Sequence, residues 1–339
     1  MCLCITCILL YVLCKNMQNS TQISFVILTA YTDVGHVKYF YFTILLALYV
    51  CIIFANVLLI TIIYMDRALH EPMYLFLCSL CVNELYGSIG LFPCLLTNLI
   101  SNNHEIHLTY CYLQIYCLYT YGAFEFCNLA IMSYDRYLSI CYPLQYNNIM
   151  TLNRVCFLIV FAWLFSFSPV VVTLSLSAHL RLCGNIMEKV WCDNFLLVRQ
   201  SCTDTTVVNM YGLSMTVFAI AVPLVLILYS YIRIFKITLR SSNGPNKKSL
   251  NTCVPHIVSL LNFSIGCSFE IFQSRVKLNM PPTLRIIISV YFLMIPPLVN
   301  PIMFGLKLTK IRDASKKFFQ QVILLKFRAC TITDNMYAK

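Results

Sequence analysis

Seven apolar stretches of membrane-spanning length run through this chain, at about 38–64, 74–99, 109–133, 155–178, 206–232, 254–273 and 284–306. Each is near or above the ~20 residues that an α-helix needs to cross the hydrocarbon of a bilayer. None alternates polar and apolar residues with period two, as the strands of a membrane barrel would. The pattern predicts an all-α membrane protein, a bundle of seven transmembrane helices. Length alone would suggest two soluble domains, but 60% of the 339 residues are hydrophobic and only 11% charged, against roughly 25% charged residues in soluble domains. A water-soluble fold could not hide that much apolar surface.

An odd number of spans puts the two termini on opposite sides. With the amino terminus outside, the inner segments hold sixteen Lys and Arg residues, among them Arg67, Arg136, Arg154, Arg233, Lys236 and the eight from Lys307 to Lys339. The outer segments hold eight, such as Lys38, Arg181, Lys189 and Arg275. Basic residues favour the cytoplasmic side, so the amino terminus is expected outside and the carboxyl terminus inside. The net charge of +11 then reads as an inner face that attracts anionic lipid and an acidic partner. Nucleic-acid binding is a poor explanation for it. Three regions follow: an extracellular tail at 1–36, the transmembrane unit at 37–306, and a cytoplasmic segment at 307–339.

The start, "MCLCITCILLYVLCKN", has an apolar core of signal-peptide length but lacks the basic opening and small-residue cleavage site of such peptides. Met17 is a second candidate start, just before a glycosylation acceptor at Asn19-Ser20-Thr21. Two readings stand: natural initiation at Met17, or a weak leader. Between the fifth and sixth spans, "RSSNGPNKKS" (Arg240 to Ser249) is a flexible polar break.

Nineteen cysteines invite a metal reading, and Cys4/Cys7 and Cys78/Cys81 have CxxC spacing. Both pairs lie in apolar runs without a second pair or a histidine set at zinc spacing, so most of these thiols read as small packing residues. Four fall on the oxidising outer side: Cys111, Cys183, Cys192 and Cys202. Four cysteines permit three pairings, and spacing does not choose among them.

The third span ends abruptly in "MSYDRYLSICYPLQY", Met132 to Tyr146. A charge in hydrocarbon costs several kcal/mol unless it is paired or snorkels to water, so a carboxylate and a guanidinium side by side at a membrane edge suggest function, with an interfacial anchor pair as the plainer reading. Four further motifs stand in order at the inner ends of the expected spans: "LHEPMYLFLCSL" from Leu69, "SYIRI" from Ser230, "KSLNTCVPH" from Lys248 and "PPLVNPIMFGLK" from Pro296. Together the five resemble those of the odorant receptors, a branch of the rhodopsin-like G-protein-coupled receptors. "FVILTAY" and "VKYFYF" near the amino terminus are similar to the fish-type branch. The resemblance covers about 17–325.

That resemblance carries expectations. Asp135-Arg136-Tyr137 would form a resting-state lock, in which Asp135 holds Arg136 until release lets Arg136 meet Tyr231 and the G protein. Trp163, Pro223, Asn300 and Pro301 fit the same pattern, the prolines as hinges in membrane helices. Phe304 stands where the family has tyrosine, and Ser264 in "FSIG" where many mammalian members have tyrosine, so the switch steps at both places differ here. A short amphipathic eighth helix would follow the seventh span. The family ties the third helix to the middle loop cysteine, which implies bridges Cys111–Cys192 and Cys183–Cys202.

Glu84 in the second span and Glu125 in the third, eleven residues from Arg136, are the two acidic residues expected deep in the bundle. With Asn56 and Asn300 near them in the family fold, the resemblance implies a sodium site; protonated, hydrogen-bonded core carboxyls are the alternative. By register, Leu118, Tyr119, Gly122, Met215, Thr216, Cys267, Ser268 and Ile271 would line a ligand pocket in the outer half of the bundle. Glu270 would pair there with a cationic ligand, or else with Arg275 or Lys277. The sequon at Asn262 lies within a span and should stay unglycosylated. No other cofactor is expected. The implied function is binding of a small odorant and activation of a heterotrimeric G protein of the stimulatory olfactory type. A non-olfactory receptor of the same fold is the alternative; a transporter would need inverted repeats and a polar pathway, and an enzyme convergent nucleophiles or metal ligands.

Overall fold

A computed structural model of the chain describes residues 23–31, 37–240, 244–275 and 282–321. Asn19, Met17 and the leader before it, Lys277 and the tail beyond 321 lie outside these residues. Seven long helices follow the seven apolar stretches: α1 (Lys38–Met65), α2 (Pro72–Ile100), α3 (Leu108–Cys141), α4 (Leu152–Ala178), α5 (Thr206–Arg240), α6 (Gly244–Arg275) and α7 (Pro282–Lys307). Six of them are long and apolar enough to cross a membrane by length and composition. The seventh, α3, has the length at 34 residues but is more polar, and its place explains why. It packs against α2, α4, α5 and α6, so most of its surface meets protein instead of lipid. Tyrosines, Gln114, Glu125 and Asn128 are accordingly buried along it.

Local signals set several helix ends. Pro72 opens α2 at a first-turn position, where its missing N–H costs nothing. The His107 ring caps α3 by accepting from the Thr109 N–H at 3.2 Å. After Lys307 the chain breaks for one residue and runs helically again over 309–321, here α8. Ile311 and Ala314 are buried on its inner side while Arg312, Lys316 and Lys317 are exposed, the amphipathic pattern of an interfacial helix. Lys310 pairs with Glu71 at 2.6 Å, tying α8 to the start of α2. The outward faces of α1, α4 and α5 present Phe54, Phe157, Phe161 and Leu228, as a lipid-facing surface requires.

The outer end carries a feature that the apolar pattern did not announce, a three-stranded sheet in the order β2-β1-β3. Its strands are β1 (Phe25–Leu28), β2 (Glu105–His107) and β3 (Ile186–Met187). β1 runs antiparallel to β2, with Val26 opposite Ile106, and parallel to β3, with Ile27 opposite Ile186. Part of the expected tail at 1–36 is therefore a strand that joins two extracellular loops. Val26 and Leu28 are buried beneath it, and the Tyr31 hydroxyl donates to the Val190 carbonyl at 2.5 Å.

Candidate functional site

At the inner end of α3, Arg136 donates to one oxygen of Asp135 through Nε at 3.1 Å and Nη2 at 2.5 Å. Asp135 is fully buried, and its other oxygen accepts from the Tyr146 hydroxyl at 2.7 Å. Burial, and then the Asp135 carboxylate, push the Tyr146 hydroxyl above the ordinary tyrosine range, so it remains a donor. Tyr146 sits on a single helical turn, Tyr146–Ile149, in the loop that follows. The Tyr137 hydroxyl points instead to that of Tyr142, at 3.4 Å. Tyr231 lies on α5 within electrostatic reach of Arg136, and its hydroxyl is buried without a hydrogen-bond partner.

Halfway across the bundle, Glu84 of α2 and Glu125 of α3 are fully buried and share one donor. The Asn300 side-chain nitrogen, from α7, reaches Glu84 Oε1 at 2.6 Å and Glu125 Oε1 at 3.2 Å. The second oxygen of Glu84 accepts from the Tyr121 hydroxyl at 3.2 Å, and that of Glu125 from Asn83 Nδ2 at 2.9 Å. Every carboxylate oxygen thus has one neutral donor. Asn56 stands one step away, donating to the Pro297 and Ile52 carbonyls, each at 2.9 Å. Pro301 is buried beside Asn300 in α7.

In the outer half a cavity of about 190 Å³ opens between α3, α4, α5, α6 and the loop after α4. Leu118, Tyr119, Gly122, Met215, Thr216, Cys267, Glu270 and Ile271 all line it. Trp191 and Asp193 form part of its outer wall, held there by covalent geometry: Cys192, between them, is bonded to Cys111 of α3, with Cα atoms 5.4 Å apart. Cys183 is bonded to Cys202, with Cα atoms 5.6 Å apart, closing the rest of the loop. Gln114 Oε1 accepts from the Cys192 N–H at 2.9 Å. Lys189 of the same loop forms an ion pair with Glu270 and another with Asp193 at 3.0 Å, and donates to Ser274 at 2.7 Å. Its ammonium lies 4.7 Å from the centre of the Trp191 ring. Burial pulls the Lys189 pKa down, but the two carboxylates more than offset this and hold it above the ordinary lysine value, so it stays charged.

A family model described as olfactory receptor matches residues 45–322. The chain belongs to the olfactory receptor family. Olfactory receptor 6C1 of Homo sapiens is 34% identical over 302 residues, covering 88% of this chain and 96% of that one. Olfactory receptor 11A1 of Homo sapiens is 32% identical over 302 residues, covering 88% and 94%. A crystal structure of squid rhodopsin matches with a TM-score of 0.66 at 17% identity, over 88% of this chain and 91% of its own, a likeness of fold. As an olfactory receptor the protein is not an enzyme. It is a multi-pass plasma-membrane receptor that binds a small molecule and couples to a G protein.

Two sequence expectations about the olfactory receptor's pocket need correction. Ser268 does not line the cavity and is exposed on the outer face of α6. Cys267, Glu270, Ile271 and Ser274 share one helical stripe at spacings of three and four, and Ser268 lies about 100° off the first of them. Glu270 does not pair with Arg275, whose guanidinium lies 4.3 Å from the centre of the Phe195 ring; its partner is Lys189. Neither Lys189 nor Tyr146 was singled out by sequence. For Tyr146 a signal existed, since it ends the same motif as Asp135. For Lys189 the only hint was Asp193 four residues on.

Proposed function

We propose that an odorant entering the outer cavity acts on the G protein through a continuous column of aromatic rings. Trp191 and Phe292, which line the cavity, have ring centres 6.3 Å apart; Phe292 and Phe263 are 6.2 Å apart, and Phe263 and Tyr121 5.8 Å. Tyr121 donates to Glu84, which shares Asn300 with Glu125. This column, joining the cavity to the carboxylate pair, is the observation that carries the proposal. It spans α3, α6 and α7, so a ligand that prefers one arrangement of these helices shifts the population at the inner end. There, loss of the Asp135 clamp frees Arg136 for Tyr231 and for the G protein, of the stimulatory type that raises cAMP.

The carboxylate pair fits a sodium ion. Besides four carboxylate oxygens, the Oδ1 atoms of Asn83 and Asn300 are buried there without hydrogen-bond partners, and hard monovalent and divalent cations of this kind take oxygen donors. A bound sodium would supply the positive charge that two adjacent carboxylates lack. The basic exposed face of α8, with Lys316 and Lys317, suits anionic lipid. The test is a screen of small odorants with a cAMP readout in cells expressing the receptor, alongside Arg136→Ala at matched surface expression. Responses present in the wild type and lost in the variant are expected. A variant that still raises cAMP normally removes Arg136 from the coupling step.

A further inference from the structure

The outer cavity is unequal in charge. Asp193 and Glu270 line its wall and both pair with Lys189 of the adjoining loop, the three side chains only 5%, 6% and 5% exposed, so one positive group faces two negative ones with little water to screen them. The ammonium has no donor left over: its three protons go to Asp193, Glu270 and Ser274. Asp193 is also satisfied, since its second oxygen accepts from the Leu196 N–H at 2.9 Å as a helix cap. The unspent capacity belongs to Glu270. Its Oε2 is buried with no close hydrogen-bond partner; the Ser289 hydroxyl, which accepts from Trp191 Nε1, is within hydrogen-bonding reach of this carboxyl but, being neutral, leaves the charge count unchanged. Asn194 Oδ1 is a second unpartnered oxygen in a residue that lines the cavity. Both orphaned atoms are acceptors. Arg275 also borders the cavity, but it is exposed and stacked on Phe195, where solvent screens it.

A buried acceptor without a partner, in a cluster short of one positive charge, is an unfavourable arrangement that a cationic donor relieves. Most of the rest of the wall is apolar, including Leu118, Ala123, Val170 and Ile220, with Thr173, Asn209 and Thr216 as neutral polar exceptions. The volume of about 190 Å³ is below the ~300–1,000 Å³ usual for drug-sized ligands. We infer that the cavity takes a small aliphatic primary amine in its ammonium form, with Glu270 Oε2 as the principal acceptor, Asn194 Oδ1 as the second, and the alkyl chain against the apolar wall. This assignment rests on the cavity being the odorant site. A carboxylate ligand is disfavoured because Lys189 has no free proton to offer and two acids would face the anion.

The experiment compares linear and cyclic primary amines of about four to eight carbons, sized to such a cavity, with alcohols and carboxylates of the same skeleton. Binding is read as the thermal shift of purified wild-type receptor, and signalling as cAMP in cells. Amines should bind at least about ten-fold more tightly than the matching alcohols, and carboxylates should not bind. Glu270→Gln should bring the amine-to-alcohol affinity ratio down to about one, whatever it does to alcohol binding itself, and Glu270→Asp should restore part of that ratio. If the Gln variant does not reach the surface, the amine-to-alcohol ratio in the wild type decides alone. Alcohols or carboxylates binding as well as amines, or no amine binding at all, overturns the inference, whatever the cAMP result. Amine binding without a cAMP response would leave the inference standing and count against the signalling proposal.

Discussion

Both oxygens of Asp135 are engaged, one by Arg136 and one by Tyr146, so the arginine is held by a carboxylate that is itself oriented from the loop. A neutral donor to a charged acceptor is worth roughly 1.5–3 kcal/mol when buried, and the partial exposure of Tyr146 lowers this to about 1 kcal/mol. Tyr146→Phe keeps the ring and deletes the donor. It should raise ligand-independent cAMP by up to about five-fold, the factor that about 1 kcal/mol represents, at unchanged surface expression. Basal signalling equal to wild type would mean that the hydroxyl does not hold the lock. Legibility at this scale followed the chemistry. The charged pair at 135 and 136 was readable because charge at a membrane edge is rare, whereas a tyrosine in a chain with 22 of them is not rare and carries no such mark.

At the scale of elements, the spans were readable to within a few residues inside the bilayer and less so beyond it. α3 extends to Cys141 and α5 to Arg240, past the ends of their apolar runs, because helical turns that reach water need no apolar residues. The sheet at the outer end was not readable at all: strands of two to four residues are paired by their partners in distant loops, and no local alternation that short is informative. The ion cluster was missed for a related reason, since the Cys111–Cys192 bond, not the sequence around Lys189, sets where the loop lies. Close contact between α6 and α7 depends on Gly266, where an added Cβ would lie 2.7 Å from Phe292 Cβ and 3.2 Å from its Cα. Ala in place of Gly normally favours a helix by up to ~1 kcal/mol, but overpacking of this kind costs ~1–3 kcal/mol. Gly266→Ala should therefore lower the apparent melting temperature of the purified receptor. Gly305→Ala, whose Cβ meets nothing within 4 Å, should leave it equal or higher. Similar melting temperatures for the two variants would mean that α7 yields freely at Phe292.

For the whole molecule, the decisive junction is Asn300, because it bonds Glu84 of α2 and Glu125 of α3 from the helix that also carries Pro296, Pro297 and Pro301. Any rotation of α7 about those prolines changes the surroundings of both carboxyls together, so the charge state of the pair and the position of the helices are linked. Two electrostatic solutions satisfy the packed arrangement: a sodium ion shared by two carboxylates, or protonated carboxyls held by Asn83, Tyr121 and Asn300. They differ in what the outside solution can do. With a sodium ion that favours the packed state, replacing sodium by N-methylglucamine should shift agonist dose–response curves to lower concentration, by about five-fold if the coupling is at the lower end of the ~1–3 kcal/mol common for linked sites. Glu125→Gln removes one of the two charges and should abolish most of that shift while the receptor still signals. Protonated carboxyls predict no shift in the wild type and curves for Glu125→Gln that match it in both buffers, because glutamine would then replace a neutral group of the same shape and sodium would have nothing to bind. Wild-type curves that coincide in the two buffers therefore exclude the ion and leave the hydrogen-bonded pair as the arrangement that holds α2, α3 and α7 together.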